Sequence, residues 1–396
     1  MSGLLPVEEA QARTLTLRTP LSPETIAFSE CFGRYLSQPV TALRDQPAAA
    51  LSAMDGYAIR FADLPGPWTI AGEVAAGAVP SRALGPGEAI RIFTGAMLPE
   101  GADTVVVQED VAAKGATLTL TGDGPAARGR HIRPRAGDFA AGAPLLDAGA
   151  RLTPGAIAAA IMAGAPAAPV HRRPRVAILS TGDELVEPGR PLAPGHIPDS
   201  NGAMLAAMLA AEPAAVALPL HARDERGTIS NILRELARHH DVIVTIGGAS
   251  VGDHDHVRGA LADAGGAVDF WRVAMRPGKP LIAGTLGEAV LLGLPGNPAS
   301  AFVTATLFLL PLVRHLAGAR DPFQPRGQAP LAVPLAAGGD RRDYLRARLD
   351  GGALTPLDSR DSGQTRPLIA ANALIVRDRD ASARDAGALV DYIAIA

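Results

Sequence analysis

The stretch TIGGASVGDHDH, residues 245–256, carries the strongest chemical signal in the sequence. Its glycines Gly247, Gly248 and Gly252 allow close approach to the backbone, so that successive amides and a helix N-terminus can hold a phosphate. Asp255 and the aspartate two residues before it could then hold a divalent cation against that phosphate. Alternatively, the aspartates only favour the helix dipole. We interpret the stretch as an anion-binding loop, because capping alone does not require three clustered glycines.

A second group of polar residues lies in the segments STGDELVEPG and PDSNGAML. Asp183, Glu184 and Asp199 could offer carboxylate oxygens to magnesium or to polar groups of a ligand. An ordinary glycine turn and a helix that begins near Asp199 and Ser200 explain the same residues equally well. The local pattern leaves both interpretations open.

Two further loops, MRPGKP and GLPGNPAS, follow later apolar runs. The chain has only two lysines among 37 basic residues, and one of them, Lys279, stands in a stiff proline-bounded turn. A lysine in this place indicates that a compact positive charge is needed, with chance retention as the alternative. In the other loop Asn297 and Pro298 shape a turn, and Ser300 lies at a helix start, where phosphate is also favoured.

Four apolar runs are the predicted strands that place these loops: 176–179, 242–246, 271–275 and 289–292. Helical patterns lie between or after them, the last over 299–316, and this alternation predicts a mostly parallel sheet flanked by helices. Ligands of such sheets bind outside the carboxyl ends of the strands. The candidate residues fall at that edge.

The rest of the chain surrounds this α/β unit. Helices are predicted over 7–17 and 29–36, and Thr153 followed by Pro154 marks the start of another. Between these helices, short β-branched runs separated by Gly and Pro indicate a small inserted β unit, and the C-terminal part of the chain returns to short strands. Asp55 in the insert belongs to an Asp-Gly pair, which by itself predicts only a turn.

Composition excludes several classes of function. With 37 Lys and Arg against 40 Asp and Glu, and no basic block, nucleic acid is not an expected partner. The single cysteine, Cys31, excludes an intrachain disulfide framework and a multi-cysteine zinc site. The N-terminus is unlike a signal peptide and no apolar run is expected to span a membrane, so the expected location is the cytoplasm. Neither a GxxxxGK(S/T) loop nor a GxGxxG fingerprint supports an ordinary nucleoside triphosphatase or a Rossmann dehydrogenase.

Seven motifs, in this order, resemble those of the molybdopterin molybdenumtransferase family, which is called MoeA in bacteria and is similar to the C-terminal region of gephyrin. The likeness covers nearly the whole chain, and seven motifs in register argue against coincidence. The motifs are SAMDGYA (52–58), RIFTGAMLPEGAD (91–103), STGDEL (180–185), DSN (199–201), TIGGASVGDHD (245–255), PGKP (277–280) and GLPGNPAS (293–300).

The resemblance implies a multidomain subunit of α/β and β parts with an elongated shape. A discontinuous N-terminal domain (1–50 and 140–172) would carry the inserted β domain (51–139). The central α/β domain of the molybdopterin-binding fold (173–319) and a C-terminal β domain (320–396) would follow. It also implies a homodimer, in which each active site combines the α/β domain of one subunit with the insert of the other.

The resemblance also assigns roles to residues at matching positions. Catalytic roles are implied for Glu184, Asp224, Asp255, Asp55 and Asp138. The first three are also the implied magnesium ligands. Asp55, Asp138 and Thr94 would face the partner's site. Substrate-binding roles are implied for Thr94, Thr181, Gly182, Asp199, Ser200, Asn201, Gly247, Gly248, Ser250, Gly252, Arg276, Lys279, Pro295, Pro298, Ser300 and Ser362.

The implied reaction takes adenylylated molybdopterin and molybdate, and yields molybdenum cofactor with release of AMP. Magnesium held by carboxylates would neutralise the phosphoanhydride, and Arg276 or Lys279 would offset the charge of molybdate. The pterin's own sulfurs bind the metal, so a chain with one cysteine can handle molybdenum. The adenylyltransferase that supplies the substrate and the molybdoenzymes that receive the cofactor are further implied partners.

Two other functions stay open at this point. An adenylyltransferase could use the same α/β core, but it would not need SAMDGYA or the insert. A noncatalytic cofactor-binding scaffold would not need the acidic residues. Molybdate and tungstate are nearly the same size, and the sequence does not separate them. Five positions depart from the family pattern: Ala50, Leu51, Arg276, Arg366 and Pro367.

Overall fold

The structure is a computed structural model that describes residues 4–248, 256–357 and 361–395. Three large sheets form in the described residues, and buried apolar clusters pack against each of them. The central sheet carries helices on both faces, while the other two are β structures. The predicted fold class, an α/β unit with an inserted β unit and a C-terminal β unit, is therefore confirmed.

The central sheet is parallel over most of its width. Its three inner strands are buried along nearly their whole length, because alternate side chains pack against helices on opposite faces. Helices Ser200–Ala210 and Pro298–Leu316 cover one face, and Arg226–His239 and His256–Asp263 cover the other. The strand order is Ala215–Val216, Arg175–Thr181, Val242–Ile246, Ala289–Leu294, Pro280–Leu286 and Ala267–Arg272, with Leu220–Ala222 also beside Arg175–Thr181.

One edge of this sheet differs from the prediction. The strand expected at 271–275 is Ala267–Arg272, and it runs antiparallel to Pro280–Leu286, a strand that the sequence pattern did not predict. The chain turns at Val273, whose N–H donates to the carbonyl oxygen of Lys279 at 3.0 Å. Because of this turn, Met275–Arg276 leaves the central sheet and pairs with a strand of the C-terminal sheet.

The N-terminal elements come from two separated stretches of chain. Strand Pro23–Ile26 pairs with Ala168–His171, and Val40–Thr41 pairs with Pro144–Leu146. The predicted first helix is confirmed as Val7–Thr16. The predicted start at Thr153 is also confirmed, since its Oγ1 accepts the N–H of Ala156 at 3.2 Å in helix Pro154–Met162.

The helix predicted over 29–36 is wrong. Only Phe28–Glu30 forms a short 3₁₀ turn. Gly33 then has φ +77°, which ends helical geometry. Tyr35 and Leu36 form β-bridges with Arg151 and Val170 instead, so pairing with the returning chain replaces a second helix.

In the part of the chain that the structure describes, the insert sheet and the C-terminal sheet have six strands each. A short strand pair, Leu51–Ser52 with Ile132–Arg133, accompanies the insert, and another, Leu185–Val186 with Ile197–Pro198, lies between strand Arg175–Thr181 and helix Ser200–Ala210 of the central unit. A short helix, Arg366–Ala370, lies in the C-terminal unit. The insert sheet has the order Thr104–Val107, Gly56–Ile59, Glu88–Ile92, Trp68–Val74, Thr117–Leu120 and Val111–Lys114. The C-terminal sheet has the order Met275–Arg276, Arg342–Asp350, Ala373–Arg377, Leu389–Ala394 and Arg326–Pro330, with Ala353–Pro356 also beside Arg342–Asp350.

Helix Pro298–Leu316 is long and apolar enough to cross a membrane, which corrects the expectation that no such run exists. However, 89% of its most apolar window is buried inside the protein, as in a core helix. A π-helical turn, Ala305–Leu309, interrupts it just before Pro311. Pro311 has no N–H to donate to the carbonyl of Leu307, four residues earlier.

The side chain of Gln11 compensates for that missing donor. Its Nε2 donates to the carbonyl oxygen of Leu307 at 2.9 Å and so fixes the first helix against the core helix. We expect Gln11→Met to lower the free energy of unfolding by about 1–3 kcal/mol, because it leaves the carbonyl unpaired. Denaturant unfolding measures this loss, and Glu9→Gln on the exposed side of the same helix is the control. A Gln11→Met protein as stable as the control would contradict this role.

Candidate functional site

The loops expected to carry the chemistry leave the central sheet side by side. In the parallel register Ser180 lies opposite Ile246, and Ile246 lies opposite Leu294. On the other side Thr181 pairs with Ala222, so the loop that contains Asp224 starts at the same edge. The sequence pattern did not place this loop, because its strand is only three residues long. Ile282 pairs with Gly293, so the loop that contains Lys279 (275–280, the lysine loop) also lies at this edge.

Two glycines of the predicted anion-binding loop are required by close packing within the chain. Gly247 has φ +90°, and a Cβ built there would lie 2.6 Å from the carbonyl oxygen of Thr181. Gly248 has φ +59°, and its Cβ would lie 2.7 Å from a methyl group of Val257. The chain after strand Val242–Ile246 thus turns tightly over the end of strand Arg175–Thr181. The rest of the predicted loop, with Ser250, Gly252 and Asp255, lies outside the described residues.

Replacing Gly247 tests whether this close approach matters. We expect Gly247→Ala to lower the free energy of unfolding by about 1–3 kcal/mol, because strain at positive φ adds to a backbone collision. Gly265→Ala is a matched control, since Gly265 has φ +92° but nothing lies within 4 Å of its Cβ position. Denaturant unfolding measures the loss of stability in both variants, and the difference between the two losses is the contribution of the collision. Equal losses in the two variants would show that only the backbone angle matters.

Acidic side chains gather on the loops after Thr181 and Ala222. Asp183 Oδ1 accepts the N–H of Asp224 at 3.3 Å, which joins the two loops. The exposed carboxylate of Glu184 folds back over Gly182, since a Cβ at Gly182 would lie 2.5 Å from Glu184 Oε2. His221, which the sequence pattern did not single out, donates from Nε2 to the carbonyl oxygen of Gly182 at 2.9 Å.

The donor chemistry of these loops fits magnesium. Glu184 and Asp224 supply carboxylate oxygens at a single sheet edge, and Mg²⁺ is usually held by one or two carboxylates together with substrate phosphates and water. Among residues 4–248, 256–357 and 361–395, no three acidic, histidine or cysteine side chains form a complete metal cluster by themselves. Two carboxylates of this kind fit an ion whose remaining ligands come from a substrate or water.

Buried polar atoms without partners line the same edge. Ser180 Oγ and Thr245 Oγ1 are fully buried at the ends of apolar strands and have no hydrogen-bond partner in the described chain. Asn201 donates from Nδ2 to the carbonyl oxygen of Gly296 at 2.6 Å, while its Oδ1 has no partner in the described chain. Buried polar groups normally form hydrogen bonds, so these atoms indicate a site for a polar ligand or water.

The residues at the start of the following helix have a defined structural role. Asp199 is the N-cap of helix Ser200–Ala210, and its Oδ1 accepts the N–H of Gly202 at 3.2 Å. Asp199 thus caps the helix and Ser200 begins it, as the structural interpretation expected. Substrate binding by either residue stays a prediction.

The lysine loop and the loop at 293–300 (the proline loop) both contact the C-terminal unit. Arg276, expected to offset molybdate, instead donates two hydrogen bonds to the buried Asp343, each 2.7 Å long. Its charge is therefore compensated within the protein. Lys279 is exposed and has no ion pair in the described chain, so it is the better candidate for holding an anion. In the proline loop, Pro295 and Ser300 are buried and Pro298 is half-buried.

Thr94 holds the Asp55 turn of the insert. Asp55 Oδ1 accepts hydrogen bonds from the Thr94 N–H at 2.7 Å and from Thr94 Oγ1 at 3.0 Å, which lower the pKa of Asp55. Asp55 Oδ2 has no hydrogen-bond partner in the described chain. Asp138 is exposed, and its N–H donates to the carbonyl oxygen of Gln46 at 2.9 Å. These bonds lie within the N-terminal half, and among the described residues none joins Asp55 or Thr94 to the sheet-edge loops.

Comparison with known proteins identifies related chains over nearly the whole length. Three family models match: the MoeA N-terminal region (domain I and II) over 5–164, the "Probable molybdopterin binding domain" over 177–315, and the MoeA C-terminal region (domain IV) over 328–395.

Curated relatives agree with these models. A molybdopterin molybdenumtransferase of Nostoc sp. is 40% identical over 74% of this chain and 69% of its own. Molybdopterin molybdenumtransferase 2 of Mycobacterium tuberculosis is 35% identical over 93% of this chain and 94% of its own.

Solved structures agree as well. A molybdopterin biosynthesis MoeA protein from Pyrococcus horikoshii superimposes with a TM-score of 0.81 at 28% identity, covering 99% of both chains. A second structure from the same organism gives a TM-score of 0.83 at 24% identity, covering 99% of this chain and 100% of its own.

Proposed function

The chain belongs to the molybdopterin molybdenumtransferase (MoeA) family, and we propose that it inserts molybdenum from molybdate into adenylylated molybdopterin, releasing AMP. It is therefore an enzyme of molybdenum cofactor biosynthesis. One observation supports this function most directly. The carboxylates of Glu184 and Asp224 and the close-packed Gly247 and Gly248 lie at one sheet edge, where a phosphoanhydride and its counter-ion can be held together.

In this proposal the acidic residues hold magnesium against the substrate. Glu184 and Asp224, with Asp255 from outside the described residues, are the ligands. Magnesium bound there supplies positive charge that neutralises the phosphoanhydride. The amides that follow Gly247 bind phosphate oxygens, because the N–H of Gly247 itself already donates to the carbonyl oxygen of Leu294 at 3.1 Å. Asn201, whose Oδ1 has no partner in the described chain, offers a further polar atom to the ligand.

The proline and lysine loops form the molybdate end of the site. Lys279 offsets the charge of the oxyanion, while Pro295 and Pro298 keep the neighbouring loop stiff. The two pterin sulfurs replace one molybdate oxygen, and their two protons leave with that oxygen as water. Hydrolysis of the phosphoanhydride consumes one water and frees AMP, so the exchange and the hydrolysis balance.

The proposal includes a homodimer with shared active sites. Helix Pro154–Met162 is apolar, yet Ile161 and Met162 remain 46% and 42% exposed, and Leu43 nearby is 67% exposed. A second subunit would cover such a surface. Asp55, Thr94 and Asp138 would then complete the partner's site. The proposed location is the cytoplasm, where an adenylyltransferase supplies the substrate and molybdoenzymes receive the product.

The two alternative functions have less support. An adenylyltransferase needs only the central α/β unit, whereas the family models also match this chain in its N-terminal and C-terminal regions. A noncatalytic scaffold would not need Glu184 and Asp224 beside the glycine turn.

Product analysis tests the proposed function. The protein is incubated with adenylylated molybdopterin, molybdate and magnesium, and the pterin product is analysed for bound molybdenum by mass spectrometry. We expect a molybdenum-bearing pterin that has lost the adenylyl group. Intact adenylylated substrate after prolonged incubation would support a carrier or scaffold instead.

A further inference from the structure

The C-terminal sheet includes a strand from the substrate-loop region. Met275–Arg276 pairs in parallel with the start of strand Arg342–Asp350, and the N–H of Arg342 donates to the carbonyl oxygen of Ala274 at 3.1 Å. Arg341 also donates from Nη1 to the carbonyl oxygen of Met275 at 3.4 Å. The residues just before the PGKP turn are therefore held by a sheet whose other strands lie some fifty or more residues away in sequence.

A bidentate ion pair extends this contact. Arg276 donates from Nε and Nη2 to the two carboxylate oxygens of Asp343, at 2.7 Å each. Asp343 is only 3% exposed, so it cannot itself contact a substrate. A buried carboxylate with its guanidinium in this planar geometry fixes the direction of the Arg276 side chain and of the turn that follows.

The second substrate loop is held by a separate contact. Asn297 donates from Nδ2 to Ser362 Oγ at 2.9 Å, and the N–H of Ala299 donates to the carbonyl oxygen of Ser362 at 3.0 Å. A cavity of about 310 Å³ lies between the two contacts and is lined by Arg276, Pro277, Leu357 and Ser362 among others. The C-terminal unit therefore touches the two loops at separate points on either side of this cavity, and each point can be altered by one substitution.

We propose that Asp343 and Ser362 are positioning residues, through which the C-terminal unit holds the Lys279 and Pro298 loops in the geometry that the reaction needs. The catalytic part of this inference rests on the proposed function. The structural part does not rest on that function, because it concerns only how rigidly the two loops are held. Both residues act through another residue: Asp343 through Arg276, and Ser362 through Asn297.

Three single variants test the proposal. Asp343→Asn removes the ion pair with little change of size, and Ser362→Ala removes the hydroxyl that accepts from Asn297. Asp378→Asn is the matched control, since Asp378 pairs with Arg342 at 2.8 Å on the same sheet without touching either loop. Ser362→Thr keeps a hydroxyl and tests rescue. Hydrogen exchange by mass spectrometry over 275–280 and 295–300 reports loop order, and AMP release reports kcat and KM.

We expect exchange to become about tenfold faster in 275–280 for Asp343→Asn and in 295–300 for Ser362→Ala, with no change for Asp378→Asn. Ser362→Thr should return exchange towards the wild-type rate. In the two loop variants kcat should fall about tenfold while KM changes less, because an interaction that positions reacting groups acts on the chemical step.

Unchanged exchange in both loops would overturn the proposal whatever the activity. Faster exchange with unchanged kcat would overturn the positioning role. If exchange rises as expected but wild-type protein releases no AMP, the proposed function fails while the C-terminal hold on the loops is supported. Ser362→Ala keeps the test valid even if the buried Asp343→Asn change destabilises the sheet.

Discussion

Glu184→Gln is expected to slow molybdate-dependent AMP release by about 10³-fold without changing the stability of the fold. Glu184 is exposed and caps no helix, so its negative charge has no structural task in the described chain. Glutamine keeps the size and one carbonyl oxygen but removes the charge that magnesium needs. The loss should therefore appear in kcat at ordinary magnesium concentration, and raising the magnesium concentration should restore part of it, because a weakened site fills by mass action.

Glu187→Gln is the matched control for this prediction. Glu187 lies on the same loop and is also exposed, and in the described chain its side chain forms a surface ion pair with Arg190 at 3.3 Å. Thermal unfolding of both variants should match wild type, and only Glu184→Gln should lose turnover. Full activity of Glu184→Gln would remove Glu184 from the metal site and leave the acidic loop with a purely structural role.

Asp55→Asn is expected to lower kcat by about 10²-fold. Asparagine preserves the oxygen that accepts from Thr94, so the turn should keep its shape. It removes the charge on the other oxygen, which has no hydrogen-bond partner in the described chain and which would face the partner's site. Steady-state AMP release measures the loss. The control is Asp63→Asn, because Asp63 also accepts a backbone N–H in the insert, from Gly87 at 2.9 Å.

The pKa of Asp55 adds a pH dependence. Hydrogen bonds from Thr94 lower this pKa below its ordinary value, so the ionised form persists to lower pH in the folded protein. Activity that needs ionised Asp55 is therefore fully present at pH values above the ordinary pKa of aspartate. It is lost only as the pH falls through the lowered pKa of Asp55. Thr94→Val should move the acidic limb of the pH–activity profile, where activity is lost, to higher pH. An unmoved limb would show that another group controls it.

Mixing two inactive proteins tests the shared site. In a heterodimer of Asp55→Asn and Glu184→Gln subunits, one site would contain both substitutions and the other neither. Random exchange of equal amounts should therefore restore about a quarter of wild-type activity, since half of the dimers are mixed and each has one intact site. No recovery in confirmed heterodimers would place Asp55 and Glu184 in the same subunit's site.

Local sequence signals were sufficient for elements that are stabilised locally. Thr153 and Pro154 start a helix as predicted because capping and proline geometry act within one turn. The inner strands were predicted correctly since burial on both faces requires continuous apolar runs. The helix expected at 29–36 failed because the bridges of Tyr35 and Leu36 to distant residues determine that segment.

The site was predictable only in part for the same reason. The glycine turn could be identified from neighbouring residues, but the close approach at Gly247 is to the carbonyl oxygen of Thr181, so anion binding by this loop stays a prediction. By contrast, no local pattern shows that Arg276 pairs with Asp343, 67 residues later. The anion-binding role expected for Arg276 came from the family resemblance, and the structure adds that a carboxylate on another sheet pairs with its charge. The role of Asp55 came only from family resemblance, because an Asp-Gly turn is common.

The most direct test of the central claim is a single-turnover measurement of AMP release from adenylylated molybdopterin bound to excess protein with magnesium, with and without molybdate. We predict rapid release of one AMP per substrate with molybdate and slow release without it. Release at the same rate in both conditions would show that the anhydride is cleaved without metal insertion. No release in either condition would contradict the transferase function and leave a nucleotide-binding protein on this fold.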